Sequence, residues 1–160
     1  MTFYSTHPDD LFLDAARNGD VAYLREQIDA GINVNYQNGK GFTPLIIAAY
    51  DGQVDATRVL LDAGANPNVQ DASGNTALMG VSFKGYPDIA RLLIQYGADM
   101  NAQNGNGGTA LMFATLFGRN QLVKLLIEQG ADQRIRDVRG LTARDLAVQQ
   151  GNEEALHWLT

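Results

Sequence analysis

Apolar residues recur along this chain in short clusters with helical spacing. Each cluster is a run of three apolar residues, with a further apolar residue one turn earlier. The runs are Val59–Leu60–Leu61, Leu92–Leu93–Ile94 and Leu125–Leu126–Ile127, and the earlier residues are Ala56, Ile89 and Leu122. This spacing places the apolar side chains of each cluster on one face of a helix. One such helix cannot bury its apolar face alone, so the pattern predicts units that stack on each other.

Glycine and threonine divide the chain at an interval of 33 residues. A Gly-x-Thr motif recurs, and two later glycines follow it at fixed distances. The motifs begin at Gly41, Gly74, Gly107 and Gly140, their threonines are Thr43, Thr76, Thr109 and Thr142, and the later glycines are Gly52, Gly85, Gly118 and Gly151, then Gly64, Gly97 and Gly130. Threonine caps helix N-termini, and glycine ends helices because it adopts the left-handed conformation without penalty. The pattern predicts two short helices in each unit.

Five copies of this unit follow an N-terminal tail of residues 1–4. Their boundaries are 5–37, 38–70, 71–103, 104–136 and a shortened 137–160. The links before each Gly-x-Thr motif are rich in Asn, Asp and Gly. Asn38–Gly39 and Asn104–Gly105 tolerate positive φ and suit tight hairpins. We expect the links to project as a row of fingers.

A 33-residue unit with a turn, two helices and a motif like TPLHxA resembles the ankyrin repeat. TPLIIAA, residues Thr43–Ala49, matches that motif except that Ile46 replaces the histidine, and Met79 and Met112 stand at this position in the next copies. GANPN and GADMN are similar to the family's GADVN ending. The resemblance covers about Pro8 to Thr160. It implies an all-α ankyrin repeat solenoid of about five helix–turn–helix repeats joined by β-hairpin-like loops.

Polar residues replace apolar ones in the first and last copies. Glu26–Gln27 stand where interior copies have pairs such as Val59–Leu60, and Arg144–Asp145 stand where other copies have Leu–Ile or Leu–Met. Polar residues at interior positions are expected of caps whose outer face meets water. We therefore expect residues 5–160 to form a whole solenoid. The chain resembles small stand-alone ankyrin proteins of bacteria as well as regulatory subunits elsewhere.

Composition limits the classes of partner. The chain has 160 residues, 45% of them hydrophobic, and a formal net charge of −6. An acidic surface disfavours non-specific binding to nucleic acid and to anionic membranes. The chain has no cysteine, so disulfides and thiolate zinc sites are excluded. It also has no apolar run of about 18 residues and no signal peptide pattern. We expect a soluble, cytoplasmic monomer, or a periplasmic one if a signal peptide was removed, without nucleic-acid or membrane partners.

Few residues suggest catalysis. His157 has helical spacing from Glu153 and Glu154, but one histidine and two carboxylates do not complete a metal site, so a solvated helix face is favoured. Asp9–Asp10 are interpreted as helix caps rather than as an acid–base pair. NGNGGT, residues 104–109, resembles a phosphate loop only faintly, because no strand precedes it and no lysine is close. We predict no enzymatic activity, no metal and no cofactor.

The resemblance to ankyrin repeats implies that the concave groove of finger tips and inner helices is the binding face. Repeat phase then gives eleven partner-binding positions on this face. They are Lys40, Phe42, Tyr50, Asp51, Asn75, Phe83, Lys84, Leu116, Phe117, Arg136 and Arg139. A large apolar residue recurs at one phase, in Tyr50, Phe83 and Leu116, and such residues are typical interface anchors. Alternatively, these rings fill gaps between repeats, since Gly80 and Phe113 occupy equivalent positions.

Charge is distributed unevenly. Residues 1–70 hold four basic and nine acidic residues, whereas residues 104–136 hold four basic and two acidic ones. The last finger is rich in arginine, with Arg134, Arg136, Arg139 and then Arg144. Three interpretations compete: a solvated surface, a contact with an acidic segment of a partner, and a contact with phosphate or nucleic acid. The uneven charge predicts salt-dependent association with a charged partner.

The sequence therefore predicts a non-catalytic protein–protein interaction module or scaffold with a preorganised surface. Two other classes of function stay open. One is an enzyme with an unrecognised site. The other is a small-molecule sensor that uses the row Met79, Phe83, Met112 and Phe117, which an enclosed cavity would favour over an open groove.

Overall fold

The computed structural model describes residues 7–160, and these residues form ten α-helices and no β-strand. The helices are α1 (Pro8–Asn18), α2 (Val21–Asp29), α3 (Pro44–Tyr50), α4 (Val54–Asp62), α5 (Ala77–Lys84), α6 (Pro87–Gln95), α7 (Ala110–Leu116), α8 (Asn120–Glu128), α9 (Ala143–Gln150) and α10 (Glu153–Leu156). The all-α helix–turn–helix solenoid predicted from the sequence is confirmed. The predicted N-terminal tail, residues 1–4, lies outside the described residues.

The helices pack in two layers. The odd-numbered helices lie side by side in chain order, the even-numbered helices form a second layer, and each odd helix packs on the even helix that follows it. We call the odd-numbered set the inner helices, because they share a surface with the fingers, and the even-numbered set the outer helices. Leu60, Leu93 and Leu126, at the same repeat phase, are fully buried between the layers.

Threonine begins four of the inner helices, as predicted. The Thr43 hydroxyl accepts a hydrogen bond from the Ile46 N–H at 3.1 Å, and the threonines before α5, α7 and α9 act in the same way. Helix α1 differs, because its N-cap is His7, whose side chain accepts from the Asp9 N–H. Asp9 and Asp10 lie in the first turn of α1. The N-cap position is therefore held by His7 and not by either aspartate, and the charge of both aspartates suits the helix N-terminus.

Four hairpin-like fingers join the repeats. In each finger the backbone N–H of the first residue donates to the carbonyl of the fifth, and the fingers are residues 38–42, 71–75, 104–108 and 137–141. The left-handed residue is the fourth one, as in Gly41 with φ of 79°. Positive φ at Asn38–Gly39 and Asn104–Gly105 does not occur. The reason is that the Asn38 side chain accepts from the N–H groups of Lys40 and Phe42 and so shapes the turn itself.

Adjacent fingers are joined through their backbones. The Ala72 N–H donates to the Lys40 carbonyl, and the same bond recurs twice along the row, each time at 3.0 Å. Glutamine side chains add a second link: Gln37 Nε2 donates to the Gln70 carbonyl at 3.3 Å, and Gln70 repeats this contact with Gln103 at 3.0 Å. The fingers therefore form one continuous row held at a fixed interval.

Candidate functional site

Three aromatic side chains form a row at the ends of α3, α5 and α7, which we call the aromatic row. The rings of Tyr50 and Phe83 are parallel within 8°, with centroids 6.3 Å apart. Phe117 meets Phe83 edge to face at 4.6 Å. Tyr50 is 41% exposed and Phe117 is 47% exposed. The rings therefore pack between repeats and still present apolar surface to solvent.

The aromatic row does not follow a single repeat phase. Leu116 shares the phase of Tyr50 and Phe83, yet it is partly buried and packs against the core. Phe117, one residue later, makes the contact with Phe83 instead. Helix α5 continues to Lys84, whereas α7 ends at Leu116 and Phe117 is its C-cap. Helix α3 ends at the same phase as α7, so the helix end alone does not decide which side chain meets the neighbouring repeat.

An open groove of about 500 Å³ lies beside the aromatic row, and we call it the Gly80 groove. Gly80 leaves space there because the residues at its phase in the neighbouring repeats are Ile47 and Phe113. Tyr50 leans into part of this space, since a Cβ atom on Gly80 would lie 3.3 Å from its Cδ2. The remaining apolar walls come from side chains that include Ile47, Phe83 and Phe113.

The rim of the Gly80 groove is polar. Asp51, the C-cap of α3, is exposed on one side. Asp71 and Asn75 come from the second finger, where Asp71 Oδ1 accepts from the N–H groups of Ser73 at 2.8 Å and Asn75 at 2.9 Å. Arg17 also lines the groove, but its guanidinium is paired with Asp14 at 2.7 Å. The rim thus holds two carboxylates and one compensated cation.

The structure brings together only part of the eleven predicted positions. Those that line the Gly80 groove are Phe42, Tyr50, Asp51, Asn75 and Phe83. Those near it are Phe117, at the end of the aromatic row, and Lys84, whose Nζ lies 4.8 Å from the centroid of the Tyr50 ring. Leu116 and Arg139 instead line a second groove of about 370 Å³. Lys40 is exposed at the first finger tip, away from both grooves.

The arginines of the last finger are bound locally. Arg134 pairs with Asp132 at 3.3 Å and Arg139 pairs with Asp137 at 3.0 Å. The guanidinium groups of the other two donate to backbone carbonyls, Arg136 to Gly140 at 2.9 Å and Arg144 to Leu159 at 3.0 Å. These bonds orient all four guanidinium groups, and the two ion pairs partly neutralise Arg134 and Arg139.

Two aspartates in these pairs have altered acidity. The backbone N–H of Arg134, followed by its side chain, lowers the pKa of Asp132 below its usual value. Burial opposes ionisation of Asp137, but hydrogen bonds from the Leu141 N–H and from Arg139 outweigh burial, so the pKa of Asp137 is also lowered. Both carboxylates therefore stay ionised alongside their arginines.

The residues considered for chemistry serve the fold. Asn104, in the NGNGGT segment, accepts from the N–H groups of Asn106 and Gly108, as Asn38 does in the first finger. Met79 and Met112 are buried in the core. Within residues 7–160 no group of three or more His, Asp or Glu side chains could hold a metal ion. In the same range no helix is long and apolar enough to cross a membrane.

Sequence reasoning missed Asp71 as a groove residue. Its signal is a difference of one residue type: fingers 1 and 3 begin with Asn38 and Asn104, whereas fingers 2 and 4 begin with Asp71 and Asp137. Met79, a member of the predicted sensor row, forms the capping box of α5: its N–H donates to the Thr76 hydroxyl and its sulfur accepts from the Thr76 N–H. Which of these residues border the groove depends on contacts between repeats, which a single-repeat pattern does not reveal.

Stacked helix pairs with a row of fingers define a class, the helical repeat proteins with an open grooved surface. A family model described as ankyrin repeats (3 copies) matches residues 12–104 and residues 81–160. These matches cover most of the chain, which therefore belongs to the ankyrin repeat family. No curated protein matches the chain. Ankyrin repeats are generally protein–protein interaction modules.

Proposed function

We propose that this chain is a non-catalytic module that binds a partner protein through the groove between its fingers and inner helices. The observation that supports this most directly is the half-exposed aromatic row beside the Gly80 groove. Large aromatic side chains at the centre of a surface are typical interface anchors. Exposed apolar patches of this kind also mark interaction sites.

The fold prepares this surface in advance. The backbone bonds between fingers and the threonine caps hold the groove walls in place before a partner arrives. Ordering loops on binding costs free energy, and a surface that is already ordered avoids most of that cost. The proposed mechanism is therefore recognition by a rigid surface, with one monomer and no cofactor.

The proposal gives the predicted residues different roles. Tyr50, Phe83 and Phe117 anchor the partner, because Tyr50 and Phe117 are exposed, Phe83 is partly exposed, and all three rings pack between repeats. The remaining predicted residues border the interface around these anchors. They are Lys40, Phe42, Asp51, Asn75, Lys84, Leu116, Arg136 and Arg139.

An affinity pull-down from an extract of the native host tests the proposal. The bait is either the wild-type chain or the triple variant Tyr50→Ala, Phe83→Ala, Phe117→Ala, with circular dichroism to show that both are folded. Captured proteins are identified by mass spectrometry, produced in pure form and measured by calorimetry. We expect the triple variant to bind at least about thirtyfold more weakly, because buried aromatic anchors contribute most of the binding energy.

Tyr96→Ala provides the matched control. Tyr96 is 40% exposed, close to the value for Tyr50, but it is the C-cap of the outer helix α6 and its hydroxyl contacts Asp62. We expect this variant to bind the captured protein with wild-type affinity. A folded triple variant that keeps wild-type affinity contradicts the proposed groove, and a loss that is equal in the control points to the outer surface instead.

A further inference from the structure

We propose that the Gly80 groove receives a basic side chain of the partner, an arginine above all, whose stem lies on the aromatic row and whose head group meets Asp51 and Asp71. This inference rests on the proposed function and specifies the partner's chemistry. The occupant is a partner segment with a basic residue flanked by apolar ones. Four features of the groove support it.

The first feature is an aspartate in the last finger that binds a guanidinium group. Asp137 and Asp71 occupy the same position in fingers 4 and 2, and each uses Oδ1 to accept two backbone N–H groups of its finger. Asp137 Oδ2 then accepts from the Arg139 guanidinium at 3.0 Å. Ser73 stands at the equivalent position in finger 2, and Asp71 Oδ2 accepts no hydrogen bond from the described residues. Finger 2 thus has a guanidinium acceptor without its guanidinium.

The second feature is that the charge of Asp71 is not needed by the finger. Asn38 and Asn104 occupy the same position in fingers 1 and 3, and their amide oxygens accept the same two backbone N–H groups. A neutral side chain therefore builds the turn equally well. The negative charge at Asp71 is therefore not required by the turn, and this carboxylate lines the groove.

The third feature is the position of Asp51. It is the C-cap of α3, at the end of the helix that carries partial negative charge, where a carboxylate is unfavourable. Asp51 forms no ion pair within the described part of the chain, whereas Arg17, the one basic residue of the groove lining, is already paired with Asp14. The uncompensated charge of the groove lining is therefore negative. The first 70 residues of the chain, which include Asp51, also carry five more acidic than basic residues.

The fourth feature is that the aromatic row already accepts a cation. Lys84 places its ammonium 4.8 Å from the centroid of the Tyr50 ring, within the range of a cation–π contact. Arginine stacks on aromatic rings and also fits a carboxylate with two parallel hydrogen bonds. A guanidinium entering the groove meets both kinds of partner, and it competes with Lys84 for the ring.

The test is an NMR titration of the ¹⁵N-labelled full chain with three capped tripeptides. Each is acetylated and amidated, with leucine on both sides of a central arginine, citrulline or glutamate. Citrulline has the shape of arginine without its charge. The backbone amides of Gly80, Asp51 and Asp71 report binding. We expect saturable shifts with the arginine peptide and an affinity at least about fivefold lower for the citrulline peptide, the scale of an exposed charge pair.

Variants locate the effect. Asp71→Asn and Asp51→Asn are each expected to weaken arginine-peptide binding about three- to fivefold. Asp137→Asn makes the same chemical change in finger 4, away from the Gly80 groove, and is expected to leave binding unchanged. Lys84→Met removes the internal competitor and is expected to tighten binding about two- to threefold. A groove for acidic segments would respond to Lys84→Met in the opposite direction.

Several outcomes overturn the inference. Equal binding of the arginine and citrulline peptides shows an apolar occupant, tighter binding of the glutamate peptide shows an acidic one, and no saturable shift shows no such pocket. These outcomes do not affect the pull-down. If the triple aromatic variant loses the partner, the proposed function stands even when the basic occupant is excluded. A partner retained by that variant removes the proposed function itself.

Discussion

At the scale of single residues, left-handed glycines allow the fingers to approach each other. Gly74 and Gly140 have the same φ, 82°, in fingers 2 and 4. A Cβ atom at Gly74 would lie 2.8 Å from the backbone nitrogen of Gly105 in the next finger, whereas one at Gly140 would meet nothing within 4 Å. The two positions share a backbone conformation and differ in their neighbours.

Substitution of these two glycines by alanine separates conformation from contact. Gly140→Ala is expected to lower the free energy of unfolding by about 1 kcal/mol, the cost of a side chain in the left-handed region. Gly74→Ala is expected to lower it by at least about 1 kcal/mol more, because the next finger must move away. Urea unfolding of both variants measures the difference. Equal losses would mean that finger stacking contributes nothing at this position.

Residue types predicted the threonine caps and the glycines at helix ends but not the Gly80 groove. Thr43 and the glycines were identified because each has one dominant structural use. Tyrosine has several structural uses, and Tyr50 tilts over Gly80 because the next repeat has no side chain at that position. Asp71 was missed for a similar reason, since aspartate and asparagine build the same finger turn and differ only in charge.

At the scale of helices and fingers, side chains of the second and fourth repeats complete the end of the inner helix before them. Gln53 Nε2 donates to the Arg17 carbonyl at 3.0 Å, and Arg119 Nε donates to the Phe83 carbonyl at 3.0 Å. These carbonyls lie at helix C-termini, where no bond within the helix is available. Gln53 and Arg119 share a repeat phase but no residue type, so the contact has no sequence signature.

The last repeat is expected to lose stability first in acid. The Thr142 backbone N–H, followed by its hydroxyl, lowers the pKa of Asp145, and the pKa values of Asp132 and Asp137 are lowered too. A carboxylate with a lowered folded-state pKa stabilises the fold above its unfolded value, about 3.9, and this contribution is lost as pH falls through the folded-state pKa. Below about pH 4 the last repeat should therefore open more readily.

Hydrogen exchange by NMR at pH 5 and pH 3, corrected for the intrinsic pH dependence of exchange, measures this opening. Protection should fall more in α9 than in α5, since all three aspartates lie between residues 132 and 145. Asp137→Asn keeps the finger turn and should reduce the pH dependence. Uniform loss of protection along the chain would contradict a local origin.

At the scale of the whole molecule, contacts run between neighbouring repeats. Inner helices pack only on adjacent inner helices and on their own outer helices among the main contacts. Stability in such arrays is close to a sum of repeat terms and interface terms. This order of contacts was predictable from the 33-residue period alone. The Gly80 groove was not, because it depends on one missing side chain.

Core substitutions in different repeats should therefore destabilise different numbers of neighbouring helices. Leu24 in α2 and Leu93 in α6 are both fully buried. Leu24→Ala should open α1 and α2 while α5 to α10 keep their protection, whereas Leu93→Ala should reduce protection on both sides of α6. Each change is expected to remove about 2–5 kcal/mol locally. Hydrogen-exchange mass spectrometry resolves the two patterns, and identical profiles would indicate one cooperative unit.

The backbone bonds that join the fingers do not involve the side chains at the finger tips. The bonds that join the fingers use the carbonyls of Lys40, Ser73 and Asn106, and never their side chains. Four unlike side chains, with Arg139 as the last, thus stand on one common backbone. Their identities can be exchanged among the fingers, or randomised in a combinatorial library, with little cost in folding. Single codon changes at these four positions therefore alter the displayed surface and leave the scaffold intact.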